Sequence, residues 1–184
     1  MTKQMRKPII KIIQSGGQTG VDRAALDAAI ESGIEIRGWC PKGGWAEDMS
    51  TPPGLMSKYP VMEETPSEDL LQRTAWNVRD TDILIVLSYE DGISPGTEAT
   101  IGYADYYGKP FIIVNFNDDK YTPENVYEWI CGVFDDMISH DNDEDNLEEI
   151  NGLSIDFAGP RESESPGTYE KSKKFISELI AFDR

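Results

Sequence analysis

Five short apolar runs, each followed by a segment of helical period, constrain this 184-residue chain more than any other feature. Pro8-Ile9-Ile10-Lys11-Ile12-Ile13 is rich in β-branched residues and reads as a buried strand. Apolar residues then recur at Val21, Ala25, Leu26, Ala29 and Ile30, which predicts a helix over Thr19 to Ser32, stopped by Gly33. Thr19 and Asp22 have capping-box spacing, with Asp in place of the usual Glu. Further strands are predicted over Ile34 to Trp39, Asp82 to Leu87, Pro110 to Phe116 and Gly152 to Ala158. Helices are predicted over Ser67 to Arg79, Thr97 to Tyr107, Pro123 to Ser139 and Tyr169 to Phe182. Strands that alternate with helices need a parallel sheet covered on both faces. The expected fold is therefore α/β: a three-layer, Rossmann-like, doubly wound and mainly parallel sheet of about five strands, in one domain spanning 1–184.

The stretch Cys40 to Pro66 breaks this rhythm. It is dense in Pro and Gly and shows little periodicity, so it reads as a long functional loop. Its aromatics Trp45 and Tyr59 argue against plain disorder. Lys42 lies in a segment, Lys42 to Asp48, with the look of a loop that covers a ligand. Trp45 could stack on a flat ring there or simply anchor the loop.

The net charge of −17 narrows the partners. Affinity for nucleic acid rests on Lys and Arg against phosphates, so no nucleic-acid partner is expected. No apolar run reaches the length of a membrane span, and no cleavage site follows Pro8 to Ile13; no membrane partner and a cytoplasmic location are expected. Cys40 and Cys131 match no redox or zinc spacing and read as buried free thiols. His140 is the only histidine, so no metal site and no Ser-His triad is expected. Asp141 to Asp145 opens like an EF-hand loop, but Asn146 and Gly152 stand where that loop needs Gly and Glu; it reads as a solvated acidic loop.

Three turns could carry a ligand. Ser15-Gly16-Gly17-Gln18-Thr19-Gly20, with Asp22 and Arg23, joins the first strand to the first helix. Glycines there allow close backbone approach, and a helix N-terminus suits phosphate or carboxylate. The pattern is neither the dinucleotide fingerprint nor the P-loop, and an ordinary tight turn remains the alternative. Ser94-Pro95-Gly96-Thr97-Glu98 joins the third strand to its helix, where Thr97 could cap or touch a ligand. Gly159 to Thr168 follows the last strand, with Arg161 as an anion fork and Ser163 beside it. All three fall where a parallel sheet places its ligand crevice. Arg73 and Arg79 are either further cations of this site or a solvated helix face.

Together, Ser15 to Leu26, Arg73-Thr74-Ala75-Trp76-Asn77-Val78, Ser94 to Thr97 and Ala158-Gly159-Pro160-Arg161 resemble the family labelled putative molybdenum carrier proteins, a circularly permuted YpsA-like branch of the SLOG superfamily. Ser15 to Asp22 looks like the second Gly-rich motif of DNA-processing protein A. Ala158 to Ser163 looks like the turn after the first strand of ordinary SLOG domains, and its C-terminal place is what a permutation would produce. The resemblance implies a Rossmann-like fold and a nucleotide or nucleotide-like ligand. The family label implies molybdopterin or molybdenum cofactor, a phosphate-bearing pterin. Relatives often assemble, which implies a homo-oligomer. The related cytokinin-activating phosphoribohydrolases carry P-G-G-x-G-T-x-x-E; aligned on Gly96-Thr97, their glutamate falls on Thr100, with Glu98 displaced by two. The expectation is therefore a binding protein for an anionic small molecule. A nucleotide hydrolase using Glu98 or Asp22 as acid or base is the alternative, and a ligand-sensing partner protein is the third reading.

Overall fold

The computed structural model describes residues 7–89, 93–140 and 151–184. Along the chain run β1 (Ile10–Gln14), α1 (Val21–Glu31), β2 (Glu35–Arg37), β3 (Trp39–Cys40), α2 (Leu55–Lys58) and β4 (Glu63–Glu64). Then follow α3 (Leu70–Arg79), β5 (Ile83–Ser88), α4 (Pro95–Tyr107), β6 (Phe111–Asn115), α5 (Pro123–His140), β7 (Leu153–Ala158) and α6 (Thr168–Phe182). Five strands form one sheet in the order β2-β1-β7-β5-β6, and every pairing is parallel. The α/β, doubly wound, Rossmann-like architecture is thus present. The acidic run Asp141 to Glu149 lies outside the described residues. Among the described residues, no helix is long and apolar enough to cross a membrane.

The last strand occupies the middle of the sheet. β7 pairs with β1 through Ile13–Ile155 and with β5 through Ile85–Phe157. Every residue of β5 is buried, and so are five of six in β7, because helices cover both faces. On one face, Ala25 and Ala29 of α1, Val126 and Ile130 of α5, and Ile176 and Leu179 of α6 pack on Ile13, Ile85 and Ile155. On the other, Val78 of α3 and Ala104 of α4 pack on Leu84 and Val86.

The predicted strand Ile34 to Trp39 is two strands in two sheets. A Cβ at Gly38 would overlap the Ser15 carbonyl oxygen, so the chain can pass this close to the first turn only as glycine. Beyond Gly38, β3 leaves the main sheet and pairs with β4. The stretch expected to be a structureless loop therefore carries β4 and the short α2. It also has its own core of Cys40, Ala46, Leu55, Tyr59 and Met62 against Leu26 of α1. Periodicity could not reveal this core, because its apolar residues are spaced irregularly and all converge on one side of α1. Cys40 is buried as expected, whereas Cys131 is only half-buried. The expected capping box is absent: the N-cap of α1 is Gly20, with no side-chain cap.

Asp183, just beyond α6, ties the two ends of the chain together. Its buried carboxylate accepts the backbone N–H groups of Ile9 at 2.7 Å and Ile10 at 2.9 Å, and the Tyr127 hydroxyl at 2.9 Å. Asp183→Ala strands two buried amides at the start of a sheet strand. The expected loss is about 3 kcal/mol, or about 6–12 °C in melting temperature for a chain of this size. Calorimetric melting checks it, and a variant within 1 °C of wild type, about the limit of such a comparison, would remove this contact from the list of structural ties.

Candidate functional site

The carboxyl ends of β1, β7 and β5 open on a crevice of about 410 Å³. Gly16, Gln18 and Asp22 of the first turn form one wall, and Arg73, Thr74 and Asn77 of α3 form another. Ser94 to Thr97 and Thr100 bring in the start of α4, while Asp156 to Gly159, Arg161 and Glu164 complete the lining. A second cavity of about 250 Å³ adjoins it, sharing Ser94, Thr97 and Glu164 and reaching Tyr89 and Ser165. Volumes of this order suit a small molecule.

The first and third turns close on each other. A Cβ at Gly20 would overlap the Pro160 carbonyl oxygen, and the Val21 N–H donates to that oxygen at 3.3 Å. The Glu162 N–H donates to Thr19 Oγ1 at 3.2 Å. Thr19 and Ser163 both donate hydroxyls to Glu47, which reaches over from the loop after β3. Glu162 accepts the amides of Gly167 and Tyr169, and Glu164 accepts that of Arg161 at 2.9 Å. The Arg23 N–H is taken by the Gln18 carbonyl at 2.9 Å. Many of the donors expected to cradle a ligand anion thus already serve carbonyls or the chain's own carboxylates. Ser15, buried beneath the turn, reaches the Phe157 carbonyl at 3.4 Å, and Gly17 faces Leu55 and Met62 rather than the crevice.

The cations divide in a way that sequence spacing does not show. Arg23 is held by Asp48 at 2.8 and 2.9 Å and by the Gly17 carbonyl at 2.9 Å. Lys42 is exposed and lines a separate, open pocket with Trp45 and Glu64. Arg79 pairs with Asp80 on the surface, at 2.6 Å, and lies over Trp76. Arg73, on the same helix, instead turns inward and meets Asp22 at 3.2 Å. Arg161 forms no ion pair among the described residues, and its guanidinium lies 5.8 Å from the centre of the half-buried Trp45 ring.

At the start of α4, Ser94 rather than Thr97 is the N-cap: its Oγ accepts the Thr97 N–H at 3.3 Å. Glu98 is exposed and does not line the crevice, whereas Thr100 does, with its hydroxyl on the Gly96 carbonyl at 3.0 Å. The position that holds a glutamate in the phosphoribohydrolase motif is thus in the crevice here, as a threonine.

Arg73, weighed as either a site cation or a solvated helix face, lies in the crevice, and it is joined there by residues not expected as ligand contacts, among them Asn77 and Asp156. Asn77 is fully used, accepting the Trp39 N–H and donating to the Trp39 carbonyl, each at 2.9 Å, which ties the small lobe to α3. Asp156 is 3% exposed, and its carboxyl makes no hydrogen bond among the described residues. Its signal was legible as the one charged residue in a strand that is apolar apart from Ser154. Burial raises the pKa of both carboxyls. For Asp22, Arg73 offsets part of the effect; for Asp156, the neighbouring Asp22 charge raises it further. Among the described residues, no group of three or more His, Cys, Asp or Glu side chains could hold a metal ion.

The parallel, doubly wound sheet with its crevice at the carboxyl rim defines a Rossmann-like α/β protein. More narrowly, the chain belongs to the circularly permutated YpsA SLOG family, whose model matches residues 13–180. It is similar to a crystal structure of "Putative molybdenum carrier protein" from Syntrophus aciditrophicus SB, solved at 1.45 Å, with 30% sequence identity and a TM-score of 0.75. The likeness covers 95% of this chain and 97% of that one. No curated protein matches.

The raised pKa of Asp156 makes a pH prediction. A carboxyl whose folded pKa lies above its unfolded value contributes stability that is fully present below about pH 4 and lost as pH rises toward the folded pKa. Asp156→Asn removes that loss. The variant should melt near the wild-type temperature at pH 4 and several degrees above it at pH 8. Lower melting of the variant at pH 8 would mean that Asp156 has a structural partner.

Proposed function

We propose that this chain binds a phosphorylated, ring-containing small molecule of nucleotide or pterin type, with molybdenum cofactor as the candidate to which its relative's name points. The observation that carries the reading is Arg161, which has no ion pair among the described residues and stands on the rim of a crevice formed by three strand-to-helix turns. The first turn of α4 adds the Gly96 amide, which has no partner within its own helix. These two donors, rather than the N-terminus of α1, are the place for the anionic end. The residues fit the pterin cofactor at both ends: Arg161 can face its phosphate, and the Asp156 carboxyl in the same crevice has no donor among the described residues. Redox chemistry belongs to such a cofactor itself, and the chain's part is to bind it, orient it and exclude water. The net charge of −17 keeps nucleic acid outside this reading. The reading also includes a cytoplasmic location and self-association, the latter supported by Tyr106, 79% exposed on α4.

Native mass spectrometry of protein purified without denaturant should show a phosphorylated ring compound on the wild type and little on Arg161→Ala. Added ligand at 100 times its Kd should stabilise the wild type by about 2.7 kcal/mol. Failure of every nucleotide and pterin phosphate to raise the melting temperature, or equal shifts in Arg161→Ala, would contradict the reading.

A second reading, hydrolysis of a nucleotide derivative, is favoured by one observation: two buried carboxyls of raised pKa, Asp22 and Asp156, line the crevice. Release of free base from nucleoside monophosphates, abolished in Asp22→Asn, would replace the carrier reading with this one. The expected result is no release.

A further inference from the structure

Among the described residues, no hydrogen bond or ion pair gives the Asp156 side chain a structural task. Its backbone is paired on both sides, with Gln14 of β1 and Leu84 of β5, in the middle of the sheet. Its side chain neither accepts a hydrogen bond nor forms an ion pair among the described residues. A buried carboxyl without donors is costly, so such groups are rare unless something else completes them. The neighbours do not complete it. Arg73 is committed to Asp22 at 3.2 Å. Asn77 is committed to Trp39 and Gln14. The Thr100 hydroxyl is committed to the Gly96 carbonyl. Gly16 leaves room for this pair, since a Cβ there would meet Arg73 Nη1 and stand 3.1 Å from Asp22 Oδ2.

The missing partner must therefore come from the crevice, and its chemistry is constrained. Two N–H donors facing the buried carboxyl favour its charged form, and an ionised carboxylate is an acceptor only, with two oxygens side by side. A phosphate is repelled by it and by Asp22, whereas a ring edge with two adjacent N–H groups matches it in bidentate fashion. We propose that Asp156 reads the ring of the ligand, by accepting the two N–H groups of the 2-amino-4-oxo edge that guanine and pterin share. This rests on the ligand reading above and adds the ring's identity to it. The ring enters toward β7 and the anionic end remains at Arg161.

Titration calorimetry on the whole chain tests this with matched pairs: guanosine against xanthosine monophosphate, and 6-hydroxymethylpterin phosphate against its 2-oxo analogue. Ribose 5-phosphate serves as the anion-only control. Wild type should prefer the 2-amino member of at least one pair by about 10- to 100-fold. The pair that binds more tightly tells a nucleotide from a pterin. Asp156→Asn presents one acceptor and one donor, so its preference should reverse toward the 2-oxo member, a gain that a misfolded variant cannot show. Ribose 5-phosphate should bind both proteins equally and Arg161→Ala more weakly. Equal affinity within both pairs, or an unreversed preference in Asp156→Asn, overturns the role of Asp156. If ribose 5-phosphate still binds, the anion site survives that failure; if no phosphate compound binds, both readings fall.

Discussion

The last strand of the chain is inserted into the centre of a sheet whose other four strands precede it. β7 has β1 on one side and β5 on the other, and the rest of the molecule follows from that placement. It carries the Gly159–Arg161 turn to the rim between the first turn and the start of α4, so residues at opposite ends of the sequence share one crevice. The contact that seals this arrangement is narrow: Gly20 lies against Pro160, and no side chain could stand between them. Asp183 fixes the same junction from the opposite rim by holding the start of β1. A doubly wound sheet binds at its carboxyl rim, and here the late strand supplies the most unusual residue of that rim.

Charge then shapes the site. In a protein this acidic, few cations reach the crevice, and several anion-type donors of the turns already serve Glu47, Glu162 and Glu164. What remains is divided. Arg161 and the first turn of α4 face one part, while Asp22 with Arg73 and Asp156, which has no hydrogen bond among the described residues, face another. A crevice with a cationic end and a carboxyl floor fits a ligand that is itself divided, anionic at one end and rich in N–H groups at the other. Holding Asp156 buried costs stability above about pH 4, the sort of sacrifice found where a residue serves a ligand rather than the fold.

Much of this was legible in the sequence. β5 and β7 are apolar runs because both faces of a central parallel strand are covered, and each of the five strands of the main sheet overlaps a predicted run, with β1 and β5 reaching one residue further, to Gln14 and Ser88. The expectation that the strand-to-helix turns gather at the carboxyl rim holds for Gly159–Arg161, which lies beside Ser15–Gly20. Other features depend on contacts that have no local signature. Arg73 and Arg79 share a helix, yet only the fold shows that one turns inward to Asp22 and the other outward to Asp80. Gly38 looked like an interior strand residue, but its closeness to Ser15 starts a second sheet. The small lobe has an irregularly spaced core that only α1 brings together. Thr19 has the spacing of a cap, but it is drawn instead to Glu47, 28 residues away.

A crystal structure of the protein with the guanine nucleotide or pterin phosphate that binds most tightly tests the central claim most directly. The account predicts the ring edge within hydrogen-bond distance of the Asp156 carboxylate and the phosphate on the Arg161 guanidinium. Ligand seated in the open pocket between Lys42 and Trp45, with the β7 crevice filled only by water, would contradict it.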